Sequence, residues 1–113
     1  MKKFDFDFNS VEQITMGITL PNKEKTRLHL TTPTVSLAEK LEGSVGKVDE
    51  ILNSDDKVSI NNLFQMLADL MSCNKEFRTV TVAELKDCLL AQHVNAFLIA
   101  YTEFLAEIKS AKN

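Results

Sequence analysis

The chain has 113 residues, 44% of them hydrophobic and 26% charged, with 13 basic against 16 acidic side chains and a net charge of −3. That size and balance predict one domain spanning 1–113 with a modest core, and they argue against wholesale disorder. Only Arg27 and Arg78 are arginines and no basic run exceeds two residues, so the clustered cations that displace counterions from nucleic-acid phosphates are absent.

No stretch approaches the roughly 20 apolar residues that span a bilayer. The opening Met1-Lys2-Lys3-Phe4-Asp5 turns acidic before an apolar core develops, which predicts no secretory signal. Cys73 and Cys88 are the only cysteines; a lone disulfide is an odd staple for a chain of this size, so reduced thiols in a cytosol are expected.

In chain order, Phe4, Phe6 and Phe8 alternate with Asp5 and Asp7, the period-two pattern of a strand with one greasy and one wet face. Ile14, Met16, Ile18 and Leu20 alternate with Thr15, Gly17 and Thr19. Pro21-Asn22-Lys23 is turn chemistry, and Leu28 and Leu30 then alternate inward from Arg27 to Thr31. The expected fold class is α+β: a hairpin plus an N-terminal edge strand forming one antiparallel sheet, covered by three or four C-terminal helices. Strands are expected over about 3–8, 13–20 and 25–31, to the accuracy such boundaries allow.

Ser36 and Glu39 have capping-box spacing, and Leu37, Leu41, Val45, Val48 and Leu52 follow at helical intervals. Gly43 and Gly46 interrupt that helix, each costing about 1 kcal/mol relative to alanine if helical, so a kink or pause is expected there. Ser59 is read as the start of a second helix with Ile60, Leu63, Phe64, Leu67 and Met71 on one stripe. Asn74 to Arg78 reads as a polar break. Thr81 and Glu84 form a further capping box ahead of a last helical region with Leu90, Val94, Phe97, Tyr101, Leu105 and Ile108 on its stripe. Helices are thus expected over about 36–53, 59–73 and 82–109, with a break near 88–92.

No motif for chemistry emerges. Gly17, Gly43 and Gly46 match neither a phosphate loop nor a dinucleotide turn, and no nucleophile sits in a Gly-x-Ser-x-Gly elbow. The metal-capable His29, Cys73, Cys88 and His93 lack the tight pairing of a zinc site, and His93 is better read as the partner of a helix-end group or of a partly exposed polar neighbour than as a catalyst. Asp55-Asp56 lacks the glycine and closing glutamate of a calcium loop, so these acids read as a solvated helix terminus. Asp5 and Asp7 share a face without a general-base partner. No catalytic residue, cofactor, metal, nucleic acid, membrane or small-molecule substrate is expected.

The apolar residues from Ile60 to Met71 spread over roughly 200° of arc, about twice what packing on one side requires. Met66 and Leu70 lie at one margin of that arc. Ile99 falls opposite the main stripe of the last helix, among Asn95, Thr102 and Glu103. These three are the candidate partner-binding residues, because methionine and scattered aliphatics suit partners of variable shape. A helix sandwiched between sheet and neighbouring helix is the favoured account of Met66 and Leu70 on burial grounds.

The passage Arg27-Leu28-His29-Leu30-Thr31-Thr32-Pro33, followed by Val35-x-Leu37-x-x-Lys40-Leu41-Glu42-Gly43, resembles the tail assembly chaperones of long-tailed bacteriophages of Gram-positive hosts. In that family a strand with Leu-Thr-Thr leads into a helix with a Leu-Glu-Lys-Lys-Leu-Gly-like stretch, and further helices follow in similar order. The likeness in residues runs from Gly17 to Gly46; the chain departs in placing Glu42 before its glycine and in a more aromatic N-terminal strand. The resemblance implies a non-enzymatic protein of the host cell cytoplasm that coats the tape measure protein before the tail tube polymerises. The tail tube protein is a second candidate partner, and self-association a third. The alternative is a structural tail or adaptor subunit kept in the virion, with its Phe4–Phe8 strands pairing identical neighbours in a homo-oligomeric ring.

Overall fold

The computed structural model describes residues 4–8 and 11–111. Seven elements follow in order: β1 (Met16–Thr19), β2 (Arg27–Leu30), α1 (Val35–Ser44), α2 (Val48–Leu52), α3 (Lys57–Ser72), α4 (Val82–Cys88) and α5 (Ala91–Ala111). The fold is α+β, a small antiparallel hairpin at the N-terminal end followed by helices.

The hairpin forms because its turn satisfies itself. Asn22 Oδ1 accepts from Thr26 N and Asn22 Nδ2 donates to Thr26 Oγ1, both at 3.0 Å. The register pairs Met16 with Leu30 and Ile18 with Leu28, so the apolar members of both strands share the inner face. On the outer face Arg27 Nη1 donates to Thr19 Oγ1 at 3.1 Å. Its guanidinium lies over Gly17, where a Cβ would come within 2.3 Å of Nη2; glycine is what makes room for it.

The expected N-terminal strand is not formed. Residues 4–7 have no regular structure and Phe4, Phe6 and Phe8 are exposed; Lys3 of that segment lies outside the described residues. Alternation names the face a strand would bury, but a strand also needs a neighbour for its main chain. β2 instead finds its second neighbour in the loop after α3. An isolated bridge joins Leu30 to Asn74, with Thr31 N donating to Cys73 O at 2.8 Å and Lys75 N to His29 O at 2.9 Å.

The expected first helix divides at Gly46, which adopts φ +90, a conformation open to glycine and costly to residues with a Cβ. Its N-cap is Thr34, whose Oγ1 accepts from Leu37 N at 3.3 Å; the helix starts before Ser36, so the Ser36–Glu39 box is superseded. The second helix likewise begins ahead of Ser59. Asp56 is the cap, accepting from Val58 N at 3.1 Å and Ser59 N at 3.3 Å, and the Ser59 hydroxyl beside it holds its carboxyl below the usual range. The Thr81–Glu84 capping box is formed in full. Between α4 and α5 the chain bends by 115°, and Leu90 N donates to His93 Nδ1 at 2.9 Å, which covers an amide left open at the new helix start.

α3 is the centre of the core. Leu63, Phe64, Met66, Leu67, Ala68, Leu70 and Met71 are all buried, enclosed with Leu28 and Leu30 of the hairpin, Leu41, Val48, Leu85 and the α5 residues Val94, Leu98, Tyr101 and Phe104. Each large aliphatic so buried contributes roughly 1.5–3 kcal/mol. Among the described residues no single helix is long and apolar enough to cross a membrane.

Candidate functional site: an apolar groove between α2 and α5

The break at Gly46 has a consequence at the surface. Because the chain turns there, Val45 leaves the helical stripe and stands 53% exposed, while Val48 re-enters the core at 8%. The step between α1 and α2 leaves a groove of about 190 Å³ whose far wall is α5. Leu41, Val48, Met66 and Leu98 line its apolar depth, and Val45 and Ile99 stand at its rim. One polar tie bounds it: Asn95 Nδ2 donates to Asp49 Oδ1 at 2.9 Å, pinning α2 to α5. The Thr102 hydroxyl donates back to Ile99 O at 2.8 Å.

The three candidate partner-binding residues are thus separated. Ile99 is 64% exposed and sits on the rim. Met66, at 5% exposure, lines the groove from within the core. Leu70 is wholly buried, so its assignment as surface is corrected. Met66 is corrected in the same sense: it shapes the groove and is not itself presented. The wide apolar arc of α3 is explained by neighbours on several sides, namely hairpin, α1, α2 and α4. Val45 went unrecognised because the helical stripe assigned it to the core; Gly43 and Gly46 were the visible sign that the stripe would fail.

A second surface feature had no sequence signal. Phe77 is 95% exposed at φ +56, in the loop that buried Asn74 organises by donating to Met71 O and Arg78 O, both at 2.8 Å, and accepting from Arg78 N at 2.9 Å. A bulky residue at positive φ is costly; the three bonds to Asn74 hold it there.

The ionisable groups are dispersed. Among the described residues no three His, Cys, Asp or Glu side chains converge. Glu76 accepts from His29 N at 2.9 Å and lies 2.7 Å from His29 Nδ1, and these hydrogen bonds hold its carboxyl below the ordinary range. Burial pushes the thiols of Cys73 and Cys88 up, which leaves less thiolate for reaction or metal binding. Burial also pushes the Tyr101 phenol up; its oxygen has no hydrogen-bond partner among the described residues.

What this groove offers a partner is apolar volume. A cavity of about 150 Å³ holds benzene, so the groove has room for an aliphatic or aromatic side chain, with Val45 and Ile99 extending the contact outside. The class so defined is a small α+β domain with a shallow apolar recess. Comparison with protein-family models, with curated proteins and with solved structures found no match to this chain.

Proposed function

We propose that this protein is a tail assembly chaperone, a non-enzymatic binder that keeps the helical tape measure protein of a long-tailed phage soluble until the tail tube forms around it. The observation that supports the reading most is the groove itself: exposed Val45 and Ile99 flank an apolar recess floored by Met66. The strand-to-helix passage from Arg27 to Gly43 adds the likeness to the chaperone family.

The geometry suits one kind of occupant, an amphipathic helix of the client. Such a helix presents apolar side chains one turn apart, one entering the recess and its neighbours lying over Val45 and Ile99. Asp49 at the groove edge and Glu50 beside it on α2 favour a client stripe bordered by lysine or arginine. A single site of this size binds weakly. Repeated along a long client, such sites bind firmly together, and each is released singly as tube subunits arrive.

The test is co-expression with the tape measure protein of the same phage. The client is expected to move from the pellet to the soluble fraction with the wild-type chain and to stay in the pellet with Ile99→Glu. An unchanged client, or equal rescue by Ile99→Glu, contradicts the reading. Finding the chain in stoichiometric amounts in purified virions would favour the structural-subunit alternative instead.

A further inference from the structure

We propose that Phe77 is a docking knob, received by the groove between α2 and α5 of a second copy of this chain. Three observations carry the pairing.

The first is a loop that holds its ring out. Asn74 closes the loop at both ends. Its amide nitrogen donates to Met71 O and Arg78 O, its amide oxygen accepts from Arg78 N, and its main-chain carbonyl accepts from Phe77 N at 3.3 Å. The loop is also fastened to β2, where Lys75 N donates to His29 O and Glu76 Oε1 accepts from His29 N. At its tip Phe77 takes φ +56 and is 95% exposed. Glycine or asparagine would hold that backbone at lower cost. Phenylalanine costs the fold twice, in backbone strain and in apolar surface left in water. Strain kept in place by so many bonds is a mark of a functional position. An exposed aromatic ring is also the common anchor of a protein interface.

The second is size. The groove has a volume of about 190 Å³, and a cavity of about 150 Å³ holds benzene, so it takes one phenyl ring. Leu41, Val48 and Leu98 line the seat, and the unbranched Met66 beside them adapts to a ring. No residue of 73–78 lines the groove of its own chain.

The third is charge. Among the described residues Asp49 is the one charged side chain lining the groove. Its hydrogen-bond donor is the neutral amide of Asn95, and it has no cation partner among the described residues. In the loop, Glu76 is held by His29 and Arg78 is paired with Glu84. Lys75 is exposed, two residues from the ring, and without a carboxylate partner among the described residues. Lys75 thus complements Asp49 when the ring is seated, and a rim pair of this kind selects the partner more than it adds affinity.

Knob and groove are different surfaces, so the contact is heterologous and each added copy still offers one of each. The inference rests on the proposed function in taking the groove as a binding site, and it adds that client helix and neighbouring knob compete for one recess. A single ring binds weakly, so a client that engages many copies at once displaces it.

The test is sedimentation of the full chain without client, from about 10 µM to about 1 mM. The wild-type mass is expected to climb with concentration from 12.7 kDa past twice that value. Phe77→Asn suits the positive φ of the loop and is expected to stay monomeric, with its melting temperature unchanged or raised. Ile99→Glu puts a charge on the groove rim and is expected to stay monomeric too. Mixing the two variants restores one contact, the knob of the Ile99→Glu chain in the groove of the Phe77→Asn chain, and the mixture is expected to stop at the dimer. A wild type monomeric throughout, a variant that associates as the wild type does, or a mixture that stays monomeric overturns the proposal. Client rescue by a chain that never self-associates removes this inference alone. A self-associating chain that leaves the client in the pellet removes the chaperone reading alone.

Discussion

α3 and the N-terminal arm are both rich in apolar side chains, and the structure treats them in opposite ways. α3 buries seven of its residues, whereas the arm exposes all three phenylalanines. Hydrophobicity does not separate them; main-chain bonding does. A helix satisfies its amides and carbonyls internally and is free to sit among neighbours on every side. An isolated strand depends on another strand for each of those bonds. The difference teaches that an apolar segment becomes core only where its backbone is also provided for.

The sharpest test of this contrast is truncation in each region. Leu67→Ala removes a fully buried side chain from α3 and is expected to cost about 2–5 kcal/mol in chemical denaturation. Phe4→Ala should leave the monomer's stability within about 0.5 kcal/mol. Equal effects would break the comparison. Next in size is the turn that opens the groove. Gly46→Ala meets nothing within 4 Å of its new Cβ, yet at φ +90 it is expected to cost about 1–2 kcal/mol from backbone strain alone. No loss would mean that the α1–α2 step is not held in that conformation.

Tyr101→Phe comes third. The ring packs 5.4 Å from Phe97 and 5.6 Å from Phe104, and the substitution keeps that packing while removing a buried hydroxyl without a partner among the described residues. Stability is expected to hold or to rise by up to about 1 kcal/mol; a loss above that would reveal a bond made by the hydroxyl. The smallest effect concerns pH. The folded-state carboxyl of Glu76 is held low by His29, so its contribution is present above the ordinary glutamate range and is lost as pH falls through the lowered value. Glu76→Gln is expected to flatten slightly the acid limb of a stability profile, seen as a smaller drop in melting temperature between neutral and acid pH. An unchanged acid limb would show that His29 and Glu76 do not stabilise the fold.

Features set by a few neighbouring residues were legible in the sequence. The Asn22 turn, the Met16–Leu30 hairpin pattern, the Thr81–Glu84 box and the break before Ala91 all follow from local chemistry. The starts of α1 and α3 are not fixed by local spacing, because serine, threonine and aspartate all cap well; Thr34 and Asp56, ahead of Ser36 and Ser59, take the caps. The arm was read as a strand because alternation is visible and strand pairing, a tertiary fact, is not. Of the site, Ile99 was legible from its position off the stripe of α5. Met66 and Leu70 were not, since the width of an apolar arc does not say how many elements surround it. Val45 was hidden by a helical repeat that Gly46 cuts short.

The central claim is that exposed groove residues, and not the core, take a helical client. It is tested most directly by calorimetric titration of an amphipathic tape-measure segment into wild-type protein and into Ile99→Glu, with thermal melts of both. Wild-type binding weakened at least about tenfold by the substitution, a change of about 1.4 kcal/mol, with an unchanged melting temperature, is the expected result. Equal affinity for both proteins, or no binding by the wild type to any segment along the client, would contradict it.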